Sequence, residues 1–214
     1  MKIDVRTVGP FQENCYLVVD DAAGRAVMID PGDDAELLLA MVRDSGAELD
    51  AIWLTHAHID HIGAVEGVRR VHDVPVYLHP ADLPYYERLS ARAAEMYGVS
   101  FEQPEAIPRQ LAAGDTVICG RLEFTVMHVP GHAPGLVSFN GNGVAISGDL
   151  LFAGSIGRTD LPLSDPLAMD DSLGRFADLP EATVVYPGHG PATTIGGERA
   201  SNPFLSGRAR AVMR

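Results

Sequence analysis

The chain has 214 residues, 46% of them hydrophobic, and a formal net charge of −13. That length supports one well-buried core and is too short for two full-sized domains with a linker, so a single domain over residues 1–214 is expected. The acidic balance excludes the basic footprint that nucleic acid or an anionic membrane surface would need.

Cys15 and Cys119 are too few for a disulfide scaffold and read as small, buried apolar residues. No stretch approaches 18 consecutive apolar residues, and the opening MKIDVRTVGPFQENCYL lacks the apolar run of a secretory signal. A soluble, cytoplasmic protein is the expectation.

Strands are predicted at Ile3–Val8, Asn14–Val19 and Ala26–Ile29, separated by turn residues at Gly9-Pro10 and Asp20 to Gly24. Leu37, Leu38, Met41 and Val42 fall at helical spacing within Ala35–Asp44, and Ser45-Gly46 closes that helix. A short strand at Ala51–Leu54, a helix at Ile62–Val71, a strand at Val74–Leu78 and a partly helical segment reaching Tyr97 follow. Phe101 to Gly114 reads as loop. Strands return at Leu122–Val129, Leu136–Phe139 and Val144–Ile146. A helix over Pro166–Leu179 and a strand at Thr183–Tyr186 complete the pattern, which suggests two sheets with helices outside them.

The chemistry is concentrated in Thr55-His56-Ala57-His58-Ile59-Asp60-His61, where His56, His58, Asp60 and His61 follow a strand directly. An H-x-H-x-D-H pattern has a chance probability on the order of 10⁻³ in a chain of this composition. In a locally extended loop, His56 and His58 project from one side. A helix starting near His61 would turn Asp60 and His61 towards a second position, so one loop can serve two adjacent metals.

Three more ligand candidates stand in Gly-flanked turns after apolar strands: Pro130-Gly131-His132, Ser147-Gly148-Asp149 and Pro187-Gly188-His189-Gly190. The two oxygens of Asp149 suit it to bridge a metal pair. Imidazole and carboxylate donors favour two divalent ions, zinc first, with iron or manganese also fitting. Asp30, in IDPGD, is a candidate to orient a ligating histidine, against a turn-capping role. His72, His79 and His128 lack a ligand pattern and are read as structural.

Taken together, THAHIDH, PGHAPG, SGDLLFAGS and YPGHG resemble the metallo-β-lactamase superfamily, and within it the short glyoxalase II-like hydrolases, from about Val5 to Leu205. The resemblance implies an α/β fold, a four-layer αββα sandwich with the metals at one edge between the sheets. It also implies that His56, His58 and His132 hold one metal, that Asp60, His61 and His189 hold the other, and that Asp149 bridges them.

The expected reaction is hydrolysis of a small acyl substrate, a thioester such as S-lactoylglutathione, by a hydroxide shared between the metals and oriented by Asp60. A thiolate leaves with little help from an acid. Arg158, in GSIGRTDLP, is a candidate to bind a substrate carboxylate, against an internal ion pair with Asp160 or Asp165. The competing readings are a persulfide dioxygenase with one iron, whose family commonly lacks the PGHG histidine, and a lactonase. A β-lactamase is disfavoured by the complete H-x-H-x-D-H set. Full-length glyoxalase II carries a C-terminal helical domain for glutathione that has no counterpart here, so a more open site is expected.

Overall fold

Strand β2 (Glu13–Asp20) is buried along its whole length, because both of its faces are covered. Cys15, Leu17 and Val19 point into a core shared with helix α1 (Ala35–Ser45), while Tyr16 and Val18 point into a second core facing another sheet. The period-2 alternation of a strand thus serves two layers at once. The computed structural model describes residues 1–206; residues 207–214 of the expected domain lie outside the described residues.

The first sheet has the order β1-β2-β3-β4-β5-β6, with β1 at Lys2–Val8, β3 at Arg25–Ile29, β4 at Glu48–Trp53, β5 at Val76–Leu78 and β6 at Arg109–Gln110. It starts as an antiparallel meander and becomes parallel from β3 onward. The second sheet runs β14-β13-β10-β9-β8-β7, built from β7 (Thr116–Cys119), β8 (Leu122–His128), β9 (Val137–Gly141), β10 (Val144–Gly148), β13 (Val184–Pro187) and β14 (Thr193–Thr194). A hairpin of β11 (Leu151–Phe152) and β12 (Ser155–Ile156) stands apart.

The sheets meet through Trp53, Phe124 and Phe139, with the Trp53 ring 5.7 and 5.3 Å from the two phenylalanines. Helix α6 (Pro166–Ala177) covers the outer face of the second sheet with Met169, Leu173 and Phe176. The layers are therefore helix, sheet, sheet, helix, as the expected αββα sandwich requires.

Two helical expectations need correction. The predicted Ile62–Val71 helix is two short ones, α2 (Ile59–Ile62) and α3 (Val65–Arg69). The break falls where the Ala64 N–H donates to the Pro31 carbonyl at 2.9 Å instead of continuing the helical ladder. A Cβ on Gly63 would also lie 2.4 Å from the Gly32 carbonyl oxygen, so the chain can approach there only as glycine. In addition, the helix expected near His61 begins at Ile59, with His58 as its N-cap.

The Phe101 to Gly114 loop contains the two-residue β6, and the sequence reading assigned neither β14 nor α7 (Ile195–Ser201). Helices α4 (Leu83–Tyr86) and α5 (Leu89–Tyr97) account for the partly helical segment. Cys15 and Cys119 are free and buried, as expected. Among the described residues, no helix is long and apolar enough to cross a membrane.

Candidate metal centre

Four strands, β4 of one sheet and β8, β10 and β13 of the other, end at the same edge of the sandwich, and the seven candidate ligands sit just past those ends. His56, His58 and His132 each offer a nitrogen to one group, and Asp60, His61 and His189 form a second; within each, the donor atoms lie within 4.8 Å of one another. Asp149 stands between them. Its Oδ2 is 3.3 Å from His132 Nε2 and 3.6 Å from His189 Nε2, and its Oδ1 is 3.5 Å from His61 Nε2. All seven residues named from the sequence converge.

The tautomers follow from what each second ring nitrogen touches. Asp30 accepts from the Thr55 N–H at 2.7 Å and from the Thr55 hydroxyl at 2.5 Å. The hydroxyl's single proton is thereby committed, so Thr55 Oγ1 accepts from His56 Nδ1, 3.0 Å away. Asp30 Oδ2 also accepts from His61 Nδ1 at 3.0 Å. In their neutral forms both rings are left with Nε2 lone pairs aimed into the site. His132 donates from Nδ1 to the Arg158 carbonyl at 2.8 Å, which aims its Nε2 in the same way. His58 presents Nδ1 instead, 2.8 Å from His132 Nε2.

The nitrogens His56 Nε2 and His61 Nε2 and the oxygen Asp149 Oδ1 are buried with no hydrogen-bond partner. Buried polar atoms are nearly always satisfied, so three orphans pointing at one space fit a divalent cation that they would ligate.

Electrostatics separate the two halves. Burial, reinforced by the neighbouring imidazoles, holds His56 and His58 well below the ordinary histidine range, so their nitrogens are free to ligate. For His61, burial works in the same direction, but the carboxylates of Asp149, Asp60 and Asp30 overcome it and hold the ring above that range. Burial opposes ionisation of Asp60 too, yet His61 and His189 keep it below the usual carboxylate range.

The surrounding fold fixes these loops. Asp82, fully buried, accepts from the Ala57 N–H at 2.9 Å and the Gly135 N–H at 2.6 Å, joining the His56–His58 loop to the turn after His132. The start of α6 grips that same turn: Ser164 Oγ donates to the His132 carbonyl at 2.7 Å, and the Asp165 N–H donates to Gly131 O at 2.7 Å. Asn14 donates to the carbonyls of Pro187 and Gly190 on either side of His189. A Cβ on Gly188 would lie 2.2 Å from Asp149 Oδ1, so the Asp149 carboxylate can take this position only beside glycine.

Asp30 thus acts as the orienting carboxylate foreseen from IDPGD, while His79 and His128 stack on each other at 4.0 Å, away from the ligand groups. Arg158 lines the cavity over the centre, but its guanidinium pairs with Asp160 at 2.7 and 2.8 Å. Of the two roles weighed for that side chain, the structure contains the internal ion pair. Sequence reading missed Asp82 and Glu13. The Glu13 carboxyl is buried with neither oxygen hydrogen-bonded, 3.8 Å from His61 Nδ1, and burial pushes its pKa well up. The ENCY segment gave no sign of a role for it, because a lone Glu at a strand start is ordinarily solvated.

The cavity above the centre measures about 410 Å³, within the size range of small-molecule sites. Its walls are mostly apolar, with Tyr85, Phe152, Ile156 and Pro162 around the ligands His58, Asp60, Asp149 and His189.

A sequence profile described as the metallo-beta-lactamase superfamily matches residues 8–189. The chain is 48% identical to TTHA1623, solved in a di-iron-bound form, with 94% of this chain and 100% of that one covered and a TM-score of 0.87. It is 39% identical to the BLEG-1 B3 metallo-beta-lactamase, covering 96% and 100% of the two chains with a TM-score of 0.89. The hydroxyacylglutathione hydrolase GloC of Haemophilus influenzae is 34% identical over 215 residues, 98% of this chain and 100% of its own.

Proposed function

The chain belongs to the metallo-beta-lactamase superfamily and is a metallo-hydrolase, and from that premise we propose that its substrate is a thioester, with hydroxyacyl thioesters such as S-lactoylglutathione first among them. His56, His58 and His132 would hold one divalent ion, Asp60, His61 and His189 a second, with Asp149 shared between them. Two such ions would supply an acidified water and polarisation of the acyl carbonyl. Zinc suits the donor set, and the di-iron form of TTHA1623 makes iron the competing occupant.

The observation that carries the hydrolase reading is the completed second group. His189 Nε2 lies 3.4 Å from Asp60 Oδ2, at the same centre as His61 Nε2. A persulfide dioxygenase works with one iron and open positions beside it, a space that this second set of donors would fill.

Tyr85 favours a thioester over a lactone or lactam. Its ring lies 5.5 Å from that of His58, beside the centre, but its hydroxyl is committed to the Pro162 carbonyl at 2.6 Å and so is not free to serve as an acid. Burial also raises the Tyr85 pKa. A thiolate, with a free pKa of about 8.5, leaves without a proton, whereas an amine or alkoxide needs one. Phe152 and Ile156 give the cavity an apolar wall suited to an acyl chain, and Asp60, held by His61 and His189, would orient the nucleophile that the metals supply.

The test is thiol release from S-lactoylglutathione under strict anaerobiosis, run beside oxygen uptake on glutathione persulfide and opening of a β-lactam. Thioester turnover without oxygen supports the proposal. Oxygen uptake on the persulfide, or β-lactam opening, with thioester cleavage no faster than buffer, overturns it.

A further inference from the structure

Arg92, on α5, reaches into the wall of the cavity over the metal centre. Its guanidinium carbon sits 3.8 Å from the centroid of the Tyr85 ring, and that ring meets His58 edge-on. Arg92 is thus one aromatic ring away from a candidate ligand. Its Nη1 is buried and has no hydrogen-bond partner, and among the described residues no carboxylate pairs with it. Burial pulls its pKa below the ordinary arginine value, against the opposing pull of Tyr85, Tyr97 and Asp82.

A half-buried guanidinium with no carboxylate partner is incompletely compensated, and the face of Tyr85 supplies only part of what it lacks. Two nearby acids are otherwise engaged. Asp82 accepts two backbone N–H groups, and Glu95 lies 3.6 Å from Arg88. The other guanidinium lining the cavity, Arg158, is already neutralised by Asp160. Arg92 is therefore the cavity's uncommitted cation, and its planar fork matches one carboxylate, whereas a phosphate would bring a second charge that it cannot balance.

We propose that Arg92 is the group that selects the substrate, by pairing with a carboxylate carried on either the acyl chain or the thiol carrier. This rests on the thioester reading only for the identity of the linkage, not for the pairing itself. The carboxylate pairs with the part of the guanidinium that lines the cavity and fixes the substrate along the Tyr85 wall, so that the rest of the ligand points towards the candidate metal ligands.

The experiment uses thioethers, which bind without being cleaved, so a failure of thioester hydrolysis would leave its outcome readable. Calorimetric titration of the metal-reconstituted full chain compares three probes: S-propylglutathione, with carboxylates on the carrier; 4-(2-acetamidoethylthio)butanoate, with one on the acyl side; and uncharged S-propyl-N-acetylcysteamine. Wild-type protein is expected to bind one of the charged probes about tenfold or more tighter than the uncharged one. Which charged probe gains identifies the source of the carboxylate. Arg92→Gln should reduce that preference to about twofold or less while leaving the uncharged probe unchanged, and Arg92→Lys should retain part of it. Equal binding of all three probes by wild type, or no measurable binding of any, overturns the proposal. So does an Arg92→Gln protein that loses charged and uncharged probes alike, since that would show that Arg92 only supports the Tyr85 wall.

Discussion

Asp30 holds Thr55 twice, through the Thr55 N–H at 2.7 Å and the Thr55 hydroxyl at 2.5 Å, and through it orients His56, while also receiving His61 Nδ1 directly. One carboxylate therefore sets ring orientation in both ligand groups. Asp30 itself adopts a left-handed backbone, φ 51°, which Asp tolerates better than most residues. Asp30→Ala should weaken retention of both metals by roughly 10- to 100-fold, the range typical of losing a partner to ligating histidines. Thr55→Val should weaken only the His56 group. Competition with a chromophoric chelator, which resolves the two release steps, checks this; equal loss at both steps in Thr55→Val would refute the division of labour.

The Arg158 side chain lines the cavity and pairs there with Asp160 two residues on, one of the two roles its sequence context offered. What Arg158 gives the site is its carbonyl, which receives His132 Nδ1. Any residue supplies a carbonyl. Arg158→Ala should therefore leave metal content intact and change KM by no more than about threefold, for charged and neutral thioesters alike, in keeping with the small worth of an exposed ion pair. A large KM increase confined to carboxylate-bearing substrates would return the substrate role to Arg158.

The convergence of the seven candidate ligands was legible because metal chemistry admits few donor types and because turns at strand ends can be recognised by their Gly and Pro. The alternating apolar strands and the α1 face were legible for a similar reason, as local periodicity reports burial directly. Asp82 was not. Its partners, Ala57 and Gly135, lie 25 and 53 residues away, and both donate from the backbone, so no side-chain pattern marks them. Arg92 was hidden in the same way: α5 carries Arg92 and Glu95, and only the tertiary structure shows that the arginine lies against a ring. The helix break at Gly63 likewise depends on a carbonyl from the Pro31 turn, which periodicity within 62–71 cannot register.

His79 gives a pH prediction. It is held neutral, with a pKa pushed down to about 4, by burial and by the stacked His128, and its Nδ1 accepts from the Ala81 N–H at 3.3 Å, a bond that protonation would remove. The unfolded chain takes up that proton near pH 6.5. Stability from the neutral ring is therefore fully present above about pH 6.5 and is lost as pH falls towards 4. Denaturant unfolding of metal-free protein at pH 7.5 and 4.5 should show a larger acid loss in wild type than in His79→Gln, whose amide oxygen can replace the acceptor. An identical loss in both would contradict this.

The proposed function requires the seven side chains to form one centre for two ions, with Asp149 between them. The most direct measurement is elemental analysis of purified, metal-replete protein beside Asp149→Ala, with hydrolysis assayed on the same samples. The account predicts close to two transition-metal ions per chain in wild type, and in Asp149→Ala either none or one loosely held ion with hydrolysis lost. A wild-type protein that holds a single ion and is fully active in that state would contradict it.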